Sequence, residues 1–263
     1  MKIPSIITLT SDFGLRDGYV ASLKGVILSI APQTNIVDFC HEIRPQDISH
    51  GAFVLHTTSK YFPDYSIHVG VVDPGVGSQR RAIAIKTEKA FYIGPDNGLF
   101  SLILNDNPIN EIRSIENNSL FLNKISSTFH GRDIFAPVAA HIANGTPFES
   151  IGNIITNPVT LKYKSPIYNN ELIVGHVLCI DHFGNIITNI TRDIWEKVVM
   201  NRRFMIFCGK RLEKINNSYS ETNPGEVLAI FNSSDYLEIS INYGNAAKQL
   251  GLEIGSEIEI DLL

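Results

Sequence analysis

An aspartate and an arginine that follow a short apolar run are the residues best placed for chemistry. The run Ile67–Val72 predicts a strand, Asp73 follows at its carboxyl end, and Arg80 comes seven residues later, after a glycine-rich turn. Ligands of open α/β sheets bind just beyond the carboxyl ends of the strands. A carboxylate and a guanidinium at such a place predict a reaction in which a water molecule is oriented or activated.

A histidine in a second cluster could complete this pair. His130 lies in the segment Phe129–Asp133, directly before a predicted helix, where backbone N–H groups can face a ligand. A single histidine in such a segment is more often structural, and this alternative stays open. Since the other histidines have no spacing typical of a metal site, the set Asp73, Arg80 and His130 predicts water activation without a metal or another cofactor.

Asp12 and Asn97 follow other predicted strands. Asp12 comes after the strand-like run Ile6–Thr10, and its carboxylate could bind the two hydroxyls of a ribose. The alternative is a loop aspartate near the next helix, which we expect to span residues 18–30 with Asp17 as its N-cap. Asn97 lies in the sequence Gly-Pro-Asp-Asn-Gly, which is typical of an ordinary turn, so its local sequence favours a structural role.

Two segments of the C-terminal part also carry polar side chains suited to a ligand. In Asp-His-Phe-Gly-Asn, Asp181 could hold an ammonium group, and Asn185 offers the paired donor and acceptor that an adenine edge needs. The alternative for this segment is a β-bulge or a turn around Gly184. Ser233, in Asn-Ser-Ser, could donate a hydrogen bond to a carboxylate, and a simple turn explains that segment equally well.

The elements that must hold these residues follow two patterns. Strands and helices alternate up to about residue 155, which predicts a mostly parallel α/β sandwich domain. A polar segment with two prolines follows, and the short β-rich runs beyond it predict a small antiparallel β-barrel-like domain. The predicted organisation is an N-terminal domain over residues 1–157, a linker over residues 158–170 and a C-terminal domain over residues 171–263.

Composition and charge exclude several classes of protein. The 263 residues are 44% hydrophobic and 19% charged, which is typical of a soluble globular protein. The net charge of −5 and the lack of a basic stripe argue against nucleic acid as a partner. Three widely spaced cysteines suit a reducing cytosol. With neither a signal pattern in the first five residues nor an apolar run of the ~18 residues that span a bilayer, we expect a cytoplasmic protein that binds no membrane.

Six segments of the chain occur in the order found in the S-adenosylmethionine (SAM) hydroxide adenosyltransferase family, which the chain resembles over nearly its whole length. They are Thr-Ser-Asp-Phe-Gly, Val-Val-Asp-Pro-Gly-Val-Gly, Gly-Pro-Asp-Asn-Gly, Phe-His-Gly-Arg-Asp, Asp-His-Phe-Gly-Asn-Ile-Ile-Thr-Asn and Asn-Ser-Ser. The resemblance implies an N-terminal α/β domain, a C-terminal β domain and a homotrimer with sites between neighbouring subunits. It also implies that Asp73, Arg80 and His130 form the catalytic set, with SAM as substrate and no metal or cofactor.

The resemblance further implies contacts to the ribose, the adenine and the methionine end of SAM. The implied contacts are Asp12 for the ribose hydroxyls, Asp181 and Ser233 for the methionine end, Asn185 for adenine, Tyr219 for stacking on adenine, and also Asn97 and Phe129.

The chain resembles the related fluorinases and chlorinases too, but it differs from them at the implied reaction centre. Those enzymes carry a tyrosine at the position of Asp73, lack the histidine of position 130, and have a halide-holding serine where Gly131 stands here. Because a carboxylate at Asp73 would repel a halide and orient water, we expect hydrolysis of SAM to adenosine and methionine. The alternatives are a halogenase, a non-catalytic binder of adenosine or SAM, and a metal-dependent phosphohydrolase. The sequence does not indicate which sulfonium epimer is the substrate.

Overall fold

The computed structural model describes residues 6–263 and divides into two compact units, one that ends at Leu161 and one that runs from Lys162 to Leu263. Residues 1–5, on which the expected absence of a signal sequence depends, lie outside the described residues. Each unit has its own sheet and its own hydrophobic core. None of the helices within residues 6–263 combines the length and the apolarity that crossing a bilayer requires.

The first unit is built on six strands and four α-helices. The strands are β1 (Ile6–Ser11), β2 (Asn35–Cys40), β3 (Ser66–Val71), β4 (Ala82–Thr87), β5 (Ala90–Pro95) and β6 (Ile109–Ser114). The helices are α1 (Tyr19–Ile30), α2 (Ile48–Ser59), α3 (Ser101–Asp106) and α4 (Ala136–Ala143). The sheet order is β2-β1-β3-β5-β4-β6. The first four strands in this order pair in parallel, and β4 pairs antiparallel with both β5 and β6.

Helices cover both faces of this sheet, because its central strands are apolar on both sides. All six residues of β3 are buried, as is typical of a central parallel strand. In α1, Val20, Leu23 and Ile27 are buried at the spacing of one helix face, and α1 shares its core with α4. A second core contains Leu55 of α2 and Ile103 of α3.

The parallel register brings two candidate segments to the same edge of the sheet. Ser11, the last residue of β1, pairs with Val71, the last residue of β3. The chain therefore leaves both strands side by side, toward Asp12 in one case and toward Asp73 in the other. This edge is the place where an open parallel sheet binds ligands.

The second unit is a nine-stranded sheet with two helices. Its strands are β7 (Ile167–Tyr168), β8 (Leu172–Ile180), β9 (Ile186–Thr191), β10 (Phe204–Phe207), β11 (Arg211–Leu212), β12 (Ile215–Asn216), β13 (Val227–Phe231), β14 (Tyr236–Ile241) and β15 (Glu257–Leu262). Its helices are α5 (Arg192–Val199) and α6 (Ala246–Leu250). The order is β11-β10-β15-β8-β9-β14-β13-β12, with β7 on β8, and all pairs except β12–β13 are antiparallel.

The long strand β8 lets this sheet curl into a half-barrel. Its first part pairs with β15 and its last part with β9, with a shift of register between Val177 and Cys179. Burial alternates along β8 with a period of two, so one face of the strand packs into the core. Trp195 of α5 is buried in that core, between Phe204 and Phe231.

The predicted fold class is confirmed, with a mostly parallel α/β unit followed by a smaller, mostly antiparallel β unit. One local prediction is wrong. Helix α1 begins at Tyr19 and its N-cap is Gly18, without a side-chain cap, so Asp17 does not cap it. Asp17 lies one residue too early, because an N-cap side chain must reach the N–H groups two or three residues ahead.

Candidate active site

Four of the predicted residues line one cavity in the first unit. The cavity has a volume of about 320 Å³ and lies at the carboxyl-end edge of β1 and β3. The predicted residues that line it are Asp12, Asp73, Phe129 and His130. Asp12 and His130, which are 118 positions apart in the chain, thus meet around a space of the size that small-molecule sites commonly have.

Asp73 and Arg80 form a buried, bidentate ion pair beside this cavity. Nε of Arg80 donates to Oδ1 and Oδ2 of Asp73 at 2.8 and 3.0 Å, and Nη2 donates to Oδ2 at 2.5 Å. The two side chains are only 5% (Asp73) and 10% (Arg80) exposed. Two parallel bonds to one carboxylate fix its plane as well as its distance. The carboxylate of Asp73 is therefore held in one orientation.

The turn between these two residues needs a glycine at position 77. Gly77 has a φ of +77°, and a Cβ at this position would lie 2.2 Å from the backbone oxygen of Ser127. Both the left-handed conformation and this close approach exclude a side chain. The glycine therefore lets the turn lie directly against the segment that leads to Phe129 and His130.

His130 extends the ion pair to a chain of three groups. Nη2 of Arg80 donates to Nδ1 of His130 at 2.8 Å. Since a guanidinium has no acceptor, Nδ1 must carry the lone pair, and a neutral His130 has its proton on Nε2. Burial lowers the pKa of His130 and the charge of Arg80 lowers it further, while Asp73 and Asp133 act in the opposite direction. At neutral pH the imidazole is therefore uncharged and offers an Nε2–H donor.

A π-helical turn, Gly131–Phe135, holds His130 in place at the start of α4. Asp133, which is fully buried, accepts the N–H of Ser126 at 2.7 Å and the Nε of Arg132 at 2.6 Å. Burial raises the pKa of Asp133, but the bonds from Arg132 and Ser126 outweigh it and keep that pKa below its usual range. The ionised Asp133 thus ties the loop before His130 to the helix after it. Such π-helical insertions are frequent at functional sites.

Asp12 and Phe129 form other walls of the cavity. Oδ2 of Asp12 accepts the N–H of Gln46 at 2.8 Å, and Gln46 has a φ of +65°. The ring of Phe129 makes edge contacts with Phe13 and Tyr19, at centroid distances of 5.6 and 5.3 Å. The hydrogen bond from Gln46 engages Oδ2 of Asp12, and the aromatic cluster makes one wall of the cavity apolar.

A second pocket lies in the second unit and contains three more predicted residues. It has a volume of about 600 Å³ and is lined by Asp181, Phe183, Asn185, Tyr219, Ile241, Asn242, Tyr243 and Gly244. Oδ1 of Asp181 accepts the N–H groups of Phe183 and Asn185 at 2.9 Å, and Oδ2 accepts Nδ2 of Asn185 at 2.8 Å. The segment is a turn around Gly184, which has a φ of +88°, and the same segment lines the pocket. The two interpretations of this sequence are therefore compatible.

Tyr219 reaches from the rim of this pocket to a buried carboxylate. Its hydroxyl donates to Oε1 of Glu238 at 2.7 Å, and the hydroxyl of Ser240 donates to the same oxygen at 2.7 Å. Glu238 is 3% exposed. Burial raises the pKa of Tyr219, and the bond to Glu238 and its charge raise it further. Tyr219 is therefore a neutral phenol with its ring fixed at one end by a charge-assisted hydrogen bond.

Two family models match the chain over most of its length. The N-terminal domain model of the SAM hydroxide adenosyltransferases matches residues 7–152, and the C-terminal domain model matches residues 175–259. The chain belongs to the SAM hydroxide adenosyltransferase family.

Similar proteins were found over nearly the whole length of the chain. The chain is 40% identical to the (R)-S-adenosyl-L-methionine hydrolase of Methanocaldococcus jannaschii, over 98% of this chain and 96% of that protein. It is 37% identical to an uncharacterized conserved protein from Thermotoga maritima with a crystal structure. The structural match covers 97% of this chain and 99% of that one, with a TM-score of 0.91. The fluorinase of Nocardia brasiliensis is more distant, at 26% identity over 97% of this chain and 96% of that enzyme.

Two residues of the predicted substrate-binding set do not line either of these two pockets. Nδ2 of Asn97 donates to the backbone oxygen of Val72 at 2.9 Å, and its Oδ1 accepts the N–H of Leu99. Asn97 thus supports the end of the segment that carries Asp73. Ser233 lies in the turn between β13 and β14, where the side chain of Asn232 caps the backbone. The contacts of Asn97 and Ser233 to a substrate stay predictions.

Sequence reasoning missed several residues that line the two pockets, and three of them bear on the candidate site. Phe183 is 72% exposed and Tyr243 is 93% exposed with a φ of +54°, so each presents an apolar ring at the second pocket. Gln46 lines the first cavity and bonds Asp12 through its backbone. Phe183 could have been found from the sequence, because an aromatic residue between polar turn residues, as in Asp-His-Phe-Gly-Asn, indicates an exposed ring that can contact a ligand. The roles of Tyr243 and Gln46 depend on backbone conformations that have no local sequence signature.

Proposed function

We propose that this protein hydrolyses SAM to adenosine and L-methionine by attack of water at C5′ of the ribose. Membership of the family and the similarity to enzymes called (R)-S-adenosyl-L-methionine hydrolase support the reaction. The observation that carries the proposal is the contiguous chain of Asp73, Arg80 and His130 at a cavity that also contains Asp12. A protein that only bound SAM would have no need of a buried ion pair aligned with an imidazole.

The chemistry of the substrate matches these groups. The oxygen of water forms a bond to C5′, the bond from C5′ to sulfur breaks with its electrons staying on sulfur, and methionine leaves as a neutral thioether. No acid is needed for the leaving group, and the reaction releases one proton from the water. The demand on the protein is therefore to place a nucleophilic oxygen in line and to take up its proton. Positioning of this kind can contribute about 7–11 kcal/mol.

We assign each of the three groups a separate task. Arg80 supplies a positive charge that stabilises the developing hydroxide, and the Nε2–H of His130 donates to the same oxygen and orients it. Asp73 accepts the proton or directs it away, because its Oδ1 accepts one bond from Arg80 and keeps a second lone pair. General acid–base assistance of this type is worth about 10²–10⁴-fold in rate.

We propose that the remaining residues bind the parts of SAM that do not react. The ribose hydroxyls meet Asp12, the adenine meets Asn185 and stacks on Tyr219, and the methionine end meets Asp181 and Ser233. The aromatic wall that includes Phe129 excludes water from the reacting atoms. Asn97 contacts the substrate close to Asp73. Hydroxide attack on a sulfonium removes charge, so a water-poor site accelerates it.

We also propose that the protein works in the cytoplasm as a homotrimer whose sites combine residues of neighbouring chains. The family resemblance suggests this arrangement, and each unit carries only part of the proposed set. Asp73→Ala and Asn185→Ala should each abolish most activity. When the two variants are unfolded together and reassembled, some sites would combine an intact half from each parent, and activity should return. Mixed trimers without any rescue would place each site within one chain.

One incubation tests the reaction directly. The purified protein is incubated with the R and the S epimer of SAM at sulfur, with and without chelator and chloride, and the products are separated by chromatography. The names of the relatives favour the R epimer as the substrate. Adenosine and methionine should appear with that epimer in all buffers. Formation of 5′-chloroadenosine would indicate a halogenase, loss of activity with chelator would indicate a metal, and no product at all would indicate a binding protein.

A further inference from the structure

A second set of serine, histidine and aspartate lies in the first unit, next to Asp12. The Oγ of Ser11 is 2.7 Å from Nδ1 of His41, and Nε2 of His41 is 3.1 Å from Oδ1 of Asp38. These residue types form the nucleophilic triad of many hydrolases. Ser11, however, is 1% exposed and His41 is 4% exposed. A substrate cannot reach this serine, so the set has another task.

The proton positions in this set follow from its two ends. Burial raises the pKa of Asp38, but the bonds from Lys24 and His41 outweigh it and hold that pKa below its usual range. The ionised Asp38 accepts the Nε2–H of His41, which leaves the lone pair of a neutral His41 on Nδ1. Nδ1 then accepts the hydroxyl proton of Ser11. In this tautomer each hydrogen bond from Asp38 to Ser11 has one direction.

His41 holds the backbone on both sides of Asp12. Its side chain bonds the residue before Asp12, which is Ser11, at 2.7 Å. Its backbone oxygen accepts the N–H of Gly14, two residues after Asp12, at 2.7 Å. Gly14 has a φ of +67°, which turns the chain back toward the sheet. The segment Ser11–Gly14 thus forms a short arch that carries Asp12, and His41 bonds both ends of this arch.

We propose that His41 is a positioning residue that orients the carboxylate of Asp12 toward the ribose hydroxyls of the substrate. The inference rests on the proposed function, because it takes the ribose as the partner of Asp12. His41 lies too deep to touch the substrate and acts only through the arch. Asp38 and Ser11 contribute by fixing the ring of His41, and the bond from the N–H of Gln46 fixes the other side of the Asp12 carboxylate.

The test compares SAM with analogues that lack the 2′- or the 3′-hydroxyl. In the wild type, removal of the hydroxyl that Asp12 binds should raise KM by about 10-fold or more, as expected for a hydrogen bond to a charged group. In His41→Leu, KM for SAM should rise by about 10-fold with a much smaller change in kcat. In this variant, KM for the deoxy analogue should be little higher than KM for SAM, because the bond that the analogue lacks is already weakened. This interaction between variant and analogue is a readout that general destabilisation would not produce.

Three further variants keep the test decisive. His41→Asn places an acceptor near the position of Nδ1 and should restore most of the sensitivity to the hydroxyl. Ser11→Ala removes only one hydroxyl from the protein, and it should reproduce the effect of His41→Leu in weaker form if the leucine variant does not fold. His56→Asn is the control, at a histidine that pairs with Asp106 elsewhere in the unit. It should leave KM unchanged for SAM and for the deoxy analogues.

The outcomes separate this inference from the proposed function. If Asp12→Asn abolishes the sensitivity to the hydroxyl while folded His41→Leu and Ser11→Ala retain it in full, the positioning role of His41 is refuted. An equal rise in KM for SAM and for the deoxy analogues would also refute it, since that pattern indicates a structural role. If Asp12→Asn itself retains the sensitivity, the ribose assignment fails, and the inference fails with it, whether or not SAM is hydrolysed.

Discussion

The two candidate pockets hold their charged groups in different ways. In the first unit, Asp73 is paired with Arg80 through three short contacts, and both side chains are almost fully buried. In the second unit, Asp181 and Glu238 accept hydrogen bonds only from backbone N–H, amide and hydroxyl donors. Within residues 6–263, neither of these two carboxylates forms an ion pair. Asp73 is thus paired with a cation, while Asp181 in the second pocket and Glu238 behind its rim are bonded only to neutral donors.

This difference fits the two tasks that we propose. A group that orients a nucleophile must be rigid before the substrate arrives, and a buried bidentate ion pair provides that rigidity. A pocket that binds a cation gains from carboxylates whose charge is not yet neutralised, and SAM carries both a sulfonium and an ammonium group. Loss of one partner of a buried ion pair costs about 3–5 kcal/mol. A neutral donor to a charged group contributes about 1.5–3 kcal/mol, so substitutions in the first unit should be the more damaging.

The largest effect is expected for Asp73→Asn, which keeps the shape of the side chain and removes its charge. Turnover should fall by about 10²-fold or more, on the scale of general-base catalysis, with a much smaller change in the affinity for SAM. Steady-state kinetics and calorimetric binding measure the two quantities. Asp64→Asn, at an exposed aspartate before β3, is the matched control. Turnover near that of the control would exclude Asp73 from the reaction.

Arg80→Lys should have the next largest effect, because an ammonium cannot reproduce the planar pair of bonds to Asp73 or reach Nδ1 of His130 at the same time. We expect a loss of turnover of about 10–100-fold, below the full range of acid–base assistance because a positive charge remains. Arg16→Lys, at an exposed arginine, controls for the change of residue type. Unchanged kinetics would show that only the charge at position 80 matters and not the fork geometry.

In the second pocket, Glu238→Gln should weaken SAM binding by about 10-fold, the size expected when a hydrogen bond loses its charge. Tyr219 would keep an acceptor but lose the charge-assisted bond that fixes its ring. Adenosine, which has no positive charge, should lose less affinity than SAM, and calorimetry of both ligands checks this. Glu257→Gln, at an exposed glutamate of the same sheet, is the control. Equal losses for both ligands would mean that the charge of Glu238 does not contribute to cation binding.

A smaller difference is expected in the response of the two units to acid. His68 of β3 is fully buried, and burial lowers its pKa to about 3. Between the ordinary value near 6.5 and about 3, the unfolded chain binds a proton that the folded chain does not, so stability falls as the pH falls through this window. Hydrogen exchange at pH 7 and pH 5 should show that amides of the first unit lose protection before those of the second.

His68→Gln tests the cause of this acid response. The variant should flatten the pH dependence of the first unit, whereas His182→Gln, at an exposed histidine of the second unit, should not. Equal loss of protection in both units of the wild type would contradict the prediction. So would an unchanged pH dependence in folded His68→Gln.

Much of the fold follows from local sequence pattern. The apolar runs that become β3, β8 and β14 are continuous or alternate with a period of two, and both patterns depend only on neighbouring residues. The spacing of Val20, Leu23 and Ile27 likewise identifies the buried face of α1. The N-cap of that helix was predicted one residue too early, because capping depends on backbone angles that several polar residues in a row leave undetermined.

The candidate site divides in the same way. Asp73 and Asp12 could be predicted because each follows a strand whose carboxyl end is a common place for ligands. The structural role of Asn97 toward Val72 and the buried contact of Glu238 with Tyr219 could not. Their partners are 25 and 19 residues away in the chain, and no periodicity relates positions so far apart.

The sequence by itself determined the fold class and the family, and it predicted the three groups of the candidate reaction centre, because each of these inferences depends on residue types at short spacing within a segment. Only the tertiary structure decided which atoms face each other. The bond from Arg80 to Nδ1 of His130 joins residues 50 positions apart and sets the tautomer of the imidazole. The bond from Ser11, the last residue of β1, to His41, directly after β2, supports the arch of Asp12. Hydrogen bonds need distances near 2.8 Å and defined angles, and those arise only when the sheet register and the packing of the loops bring distant segments together.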